Sequence, residues 1–235
     1  MPSRHSIKTY SADSYYHIYN RGVEKRKIFL DDADFGVLLS YLKTYLLPKN
    51  TKELLSIVQS PVANWREKYQ ANRLLRLNNF SDSIDLIAYS LMPNHYHMLI
   101  RQSEDTAIDQ FMNSLWTRFT MYFNNKYHRV GTLFQDVYKA VLIERDEQLL
   151  YLSRYIHRNI IAKRLLRNLA SKGDALQSYS YSSYLDYIGV RNTEWVKPDY
   201  ILSYWNKSQQ TSYKNFVLQD IYDDECARII ASVII

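Results

Sequence analysis

Residues 91–100 read Leu-Met-Pro-Asn-His-Tyr-His-Met-Leu-Ile, and no other stretch constrains the fold as much. Side chains alternate along a β-strand, so His95 and His97 point the same way from a strand that continues through Met98, Leu99 and Ile100. Ile84 to Leu91 reads as the neighbouring strand, and Pro93-Asn94 supplies the turn. Histidines at the start of a buried hairpin strand are costly unless something satisfies their nitrogens. Two imidazoles on one face make half of a divalent-metal site. Taken alone, a His-x-His pair is more often an accident or a surface feature.

The other elements follow from periodicity. Ser14 to Asn20 alternates aromatic and β-branched residues and predicts a first strand. Asp31 or Asp32 caps a helix whose apolar positions Phe35, Leu38, Leu39, Leu42 and Leu46 recur at helical spacing, and Pro48 ends it. Residues 50–80 read as an insertion with one or two short helices. Thr106 to Tyr127 carries an apolar helical stripe, Val137 to Ile143 a fourth strand, and Glu144 to Leu169 a further helix. This order predicts an α+β chain: an antiparallel sheet with helices packed on one face. The expected division is a core of residues 1–175 and a C-terminal helical extension of residues 176–235.

With 30 Lys and Arg against 24 Asp and Glu among 235 residues, the chain has a net charge of +6, which favours an anionic partner. The 22 tyrosines suit base stacking and phosphate contact, and equally a tyrosine-rich core. A single cysteine, Cys226, excludes an internal disulfide and a cysteine-based zinc site. The first 16 residues lack an apolar run of signal-peptide length, and no run reaches the roughly 18 apolar residues of a membrane span. The expectation is a cytoplasmic protein with no membrane partner.

Four blocks carry a resemblance: His17-Ile18-Tyr19-Asn20-Arg21-Gly22-Val23-Glu24-Lys25-Arg26; Met92-Pro93-Asn94-His95-Tyr96-His97; Gly131-Thr132-Leu133-Phe134-Gln135; and Tyr155-Ile156-His157-Arg158-Asn159. In this order the chain resembles the single-tyrosine HUH transposases of the IS200 type, most closely their REP-associated tyrosine branch. It departs from the family pattern at Phe134, where Trp is common, and at Ile160, where Pro is common. The resemblance implies a ferredoxin-like (RRM-like) fold, single-stranded DNA with hairpin structure as substrate, Mg2+ or Mn2+ as metal, and strand cleavage to a 5′-phosphotyrosyl enzyme. It implies either a monomer or a homodimer.

It also implies roles. His95 and His97 would bind the metal, Tyr155 would be the nucleophile, and Asn159 the third ligand through its amide oxygen. Residues four apart share one helix face, so Tyr155 and Asn159 can be delivered together. Tyr151 is the runner-up nucleophile, ahead of Tyr138 and Tyr127. Candidate phosphate contacts are Arg21, Lys25, Arg26, Lys27, Arg118, Lys126, Arg129, Lys139, Arg154 and Arg158. His17 reads as a satisfied core histidine with an option on the active site; His5, His128 and His157 read as surface or DNA-facing. Two other readings stay open: a domesticated protein that binds DNA hairpins without cutting, and an unrelated hydrolase with Tyr96 and the histidines around zinc.

Overall fold

The computed structural model describes residues 10–162, 172–205 and 209–219. Four strands, β1 (Ser14–Arg21), β2 (Ile84–Met92), β3 (His95–Gln102) and β4 (Lys139–Ile143), form one sheet in the order β2-β3-β1-β4. Every neighbouring pair is antiparallel. Helix α1 (Asp32–Leu46) lies between β1 and β2 in sequence, and α4 (Ala107–Lys126) between β3 and β4. This is the ferredoxin-like arrangement that the resemblance implies.

Parity along the strands explains the two cores. Tyr16 and Ile18 of β1 and Tyr96, Met98 and Ile100 of β3 meet Phe35, Leu38 and Leu42 of α1 and Ile108, Phe111, Leu115 and Phe119 of α4. Each such side chain contributes about 1.5–3 kcal/mol on burial. The opposite face is covered as well. There Leu99 of β3 and Ile87, Ala88 and Met92 of β2 meet Leu149, Leu152, Ile156 and Ile160 of α5 (Asp146–Ala162). β2 and β3 are therefore buried on both sides, which is why β2 reads as an almost unbroken apolar run. The predicted continuation of α5 towards Leu169, with Lys163, Arg164 and Arg167, lies outside the described residues.

Local capping sets the helix limits. Asp31 and Asp34 form a reciprocal capping box on α1, and the extended Leu47 before Pro48 stops it. The insertion is a helical hairpin of α2 (Thr51–Gln59) and α3 (Trp65–Arg76), each opened by an asparagine cap.

The C-terminal segment contains α6 (Lys172–Ser178), α7 (Tyr184–Tyr187), α8 (Asp199–Leu202) and α9 (Gln209–Leu218). It protects the free edge of β2. Leu91 N–H donates to Tyr181 O at 2.9 Å, Ser183 N–H to Tyr89 O at 3.0 Å, and Lys197 N–H to Leu86 O at 2.9 Å. The Tyr187 hydroxyl donates to Ile87 O at 3.0 Å, at the point where the β2–β3 register shifts. Pairing of this kind blocks the strand-to-strand association that an open edge invites. Among the described residues no helix is long and apolar enough to cross a membrane.

Candidate active site

His95 and His97 stand on the α5 side of β3, nearly buried, with ring centroids 5.2 Å apart and planes almost perpendicular. Their hydrogen bonds determine which nitrogens are presented. The Asn94 amide nitrogen donates to Lys25 O at 3.2 Å, so its oxygen faces His95 Nδ1, 2.8 Å away. His95 therefore carries its proton on Nδ1 and keeps the Nε2 lone pair. His97 Nδ1 lies 2.9 Å from His17 Nε2, and the two rings stack with centroids 5.1 Å apart. The proton between them sits on one ring or the other; on His97 Nδ1 it leaves His97 Nε2 as the ligating nitrogen. Such partners orient and tune metal-ligating imidazoles. His17 is both buried and part of the site. Strand parity was the available signal: Tyr15, His17 and Tyr19 share a face, and Tyr19 pairs with His97.

Helix α5 brings the tyrosine. The Tyr155 ring lies edge-on to His97 at 5.4 Å and to His17 at 6.3 Å. The Asn159 side chain lies beside its hydroxyl, one helical turn on. Asn159 is buried, and its Nδ2 has no hydrogen-bond partner among the described residues. Burial raises the Tyr155 hydroxyl above its ordinary pKa; the Asn159 side chain opposes this and the neighbouring Tyr19 adds to it. The other tyrosines are engaged elsewhere. Tyr151 packs on Phe216, Tyr138 bonds Tyr10 and Asp109, and the Tyr127 hydroxyl donates to Asp34. Tyr96 points to the opposite face and stacks on Trp116 at 4.1 Å, which removes it from any zinc site with the histidines.

Among the described residues no group of three or more His, Cys, Asp or Glu could hold a metal ion. The donor set on offer is two imidazole nitrogens and one amide oxygen, without a carboxylate. A divalent cation held by such a set would complete its shell with water and phosphate oxygens.

The first three sequence blocks converge beside these groups. Gly22 N–H donates to Asn94 O at 2.8 Å, Ile28 N–H to Pro93 O at 2.7 Å, and Val23 N–H to Leu133 O at 3.0 Å. A Cβ on Gly22 would lie 2.3 Å from Arg26 O, so only glycine fits this crossing.

The candidate phosphate contacts divide by position. Arg21 pairs in register with His95, and Lys139 with Tyr19, so both border the histidines. Lys25 and Lys27 are exposed in the loop beyond β1, and Arg26 ion-pairs with Glu24 at 3.0 Å. Arg118 lies on the far helical layer, over the Tyr41 ring at 3.7 Å. Lys126 ties Asp31 to the buried Asp34, and Arg129 bonds Asn124 and the Thr132 carbonyl. Arg154 and Arg158 donate to the Phe216, Val217 and Gln219 carbonyls at the end of α9. His157 corrects the surface reading: it is fully buried, between the Tyr213 hydroxyl at 2.7 Å and Ser183 Oγ at 2.8 Å. His128 adopts φ of 50° just beyond α4, and His5 lies outside the described residues.

Fold and site together define a small α+β protein with paired strand histidines and a helix-borne tyrosine. Residues 59–159 match the family described as "Transposase IS200 like". The matched stretch runs through His95, His97 and Tyr155 and ends on Asn159, and over it the resemblance to the IS200-type family is shown. A solved structure described as "Structure of the REP associates tyrosine transposase bound to a REP hairpin" is similar with a TM-score of 0.47 and 9% identity, covering 82% of this chain and 96% of that chain. No curated protein matches this chain.

Proposed function

We propose that the chain is a metal-dependent transposase that cuts and rejoins hairpin-bearing single-stranded DNA through Tyr155, as a member of the REP-associated branch. One observation carries the reading: the Tyr155 ring lies edge-on to the His97 ring, centroids 5.4 Å apart, inside the segment similar to IS200-like transposases. In the cleavage step the Tyr155 oxygen bonds to the phosphorus of a DNA phosphodiester. The bond from phosphorus to the 3′ oxygen breaks, and the phenol proton ends on that oxygen as a free 3′-hydroxyl. The 5′-phosphotyrosine conserves the bond energy, so rejoining to another end needs no nucleotide cofactor.

Each neighbour has a task. Burial keeps the Tyr155 hydroxyl protonated until substrate arrives, and Asn159 holds its direction. Asn94 keeps the His95 proton on Nδ1, and a proton on His97 Nδ1 facing His17 leaves both Nε2 atoms for a metal. A Mg2+ or Mn2+ ion, held by the two Nε2 atoms and the Asn159 oxygen, would polarise a phosphate oxygen and ease loss of the phenol proton. Arg21, Lys25, Lys27 and Lys139 would grip the strand's phosphates at the same end of the sheet.

The test is incubation with hairpin-bearing single-stranded DNA and Mn2+, followed by a denaturing gel. A covalent adduct is expected for the wild type and its loss in Tyr155→Phe, with DNA binding retained. An adduct that persists in Tyr155→Phe, or maps to a peptide whose reacting residue is Tyr151, would overturn the assignment. Binding without any adduct would instead support the hairpin-binding reading.

A further inference from the structure

One face of α3 is built from two aromatics and two arginines. At 3.6 residues per turn, Trp65, Tyr69, Arg73 and Arg76 fall within an arc of about 80°. The opposite face, with Ala71 and Leu74, packs towards α2. Trp65 is 74% exposed and Tyr69 53%, yet their rings stack on each other at 5.3 Å with planes 18° apart. A stacked pair of open rings offers a free π-face to a further planar group.

The stripe leads into a cleft of about 360 Å³, where Arg73 and Arg76 meet Arg118 of α4. Arg118 is held flat over Tyr41, its centre 3.7 Å from the ring centroid. No Asp or Glu lines the cleft. Among the described residues none of the three arginines has an ion pair, and Arg118 Nε and Nη1 have no hydrogen-bond partner. Three uncompensated guanidinium groups next to an aromatic stack complement a chain of phosphates carrying bases.

The stripe is remote from the histidines. Its cleft is lined by Tyr45 of α1 and Arg118 of α4, which cover one face of the sheet, whereas His95 and His97 face α5 on the other.

We infer that the outer face of α3, with Arg118, is a second single-stranded DNA contact surface, holding a segment that flanks the one at the catalytic end. It rests on the DNA-directed reading above and adds a surface that reading does not use. Bases stack on Trp65 and Tyr69, and phosphates lie along Arg73, Arg76 and Arg118.

The test uses oligo(dT) carrying 5-iododeoxyuridine, with the full chain. Photocrosslinks are expected in the peptide containing Trp65 and Tyr69. The double variant Trp65→Ala/Tyr69→Ala, which touches only exposed rings, should bind oligo(dT) at least about fivefold more weakly. Arg73→Gln/Arg76→Gln should reduce the slope of log affinity against log salt by about 1.4. Unchanged affinity and slope with no crosslink there would overturn the inference. So would light scattering that shows a dimer lost in the aromatic variant while oligo(dT) affinity is unaltered. If the wild type neither binds nor cuts hairpin DNA, the transposase reading fails, while crosslinks at Trp65 or Tyr69 would still support this surface.

Discussion

Acidification should destabilise this protein through His157, and by a calculable amount. The imidazole is fully buried and both nitrogens are already bonded, to the Tyr213 hydroxyl and to Ser183 Oγ. A neutral ring donates once and accepts once; the imidazolium can only donate. Burial, reinforced by the positive Arg191, depresses its pKa from 6.5 to about 3. The sign follows directly. The unfolded chain takes up the proton first as pH falls, so the contribution is complete above about 6.5 and is lost progressively towards about 3. At pH 5 the unfolded histidine is about 97% protonated and the folded one almost neutral, a loss of about 2 kcal/mol relative to pH 8. That figure holds for any folded pKa well below 5. The assay is urea unfolding followed by tryptophan fluorescence at pH 8 and pH 5, for wild type and His157→Gln. Carboxylates contribute alike to both proteins, so the difference between their pH dependences isolates His157. A variant with the same pH dependence as wild type would refute the reasoning, as would an imidazole NMR resonance of His157 titrating near 6.5. Because Ser183 belongs to the segment along β2, the same protonation would loosen α5, the helix that carries Tyr155.

Other outcomes follow from single contacts. His95→Ala and His97→Ala should each abolish metal-dependent cleavage while leaving circular dichroism and most DNA binding intact; a variant that cuts at the wild-type rate would remove that histidine from the ligand set. Gly22→Ala forces a Cβ against Arg26 O and should cost about 1–3 kcal/mol in urea unfolding, with slowed cleavage. Ser183→Ala strips partners from the Tyr89 N–H and from His157, and about 1–3 kcal/mol of stability should go with them, read as an earlier unfolding midpoint.

Local geometry made part of this legible in the sequence. The two-residue strand period puts His95 and His97 on one face, and the four-residue helix spacing puts Tyr155 beside Asn159; neither needs knowledge of distant residues. The order of elements sufficed for an antiparallel α+β sheet, because few arrangements of neighbouring elements remain; the ferredoxin-like topology came with the family resemblance. What the sequence could not supply was the identity of long-range partners. His17 joins His97 because the β1–β3 register brings residues 80 positions apart to 2.9 Å. Arg154 and Arg158 look like cations for phosphate until α9 folds back and places its terminal carbonyls on them. His157 lies between Tyr155 and Asn159, yet it turns to Tyr213 and Ser183, because helix spacing gives it a different face of α5. Each of those partners is decided by how the chain closes on itself, since a side chain's charge and type are local whereas burial and pairing depend on what packs against it.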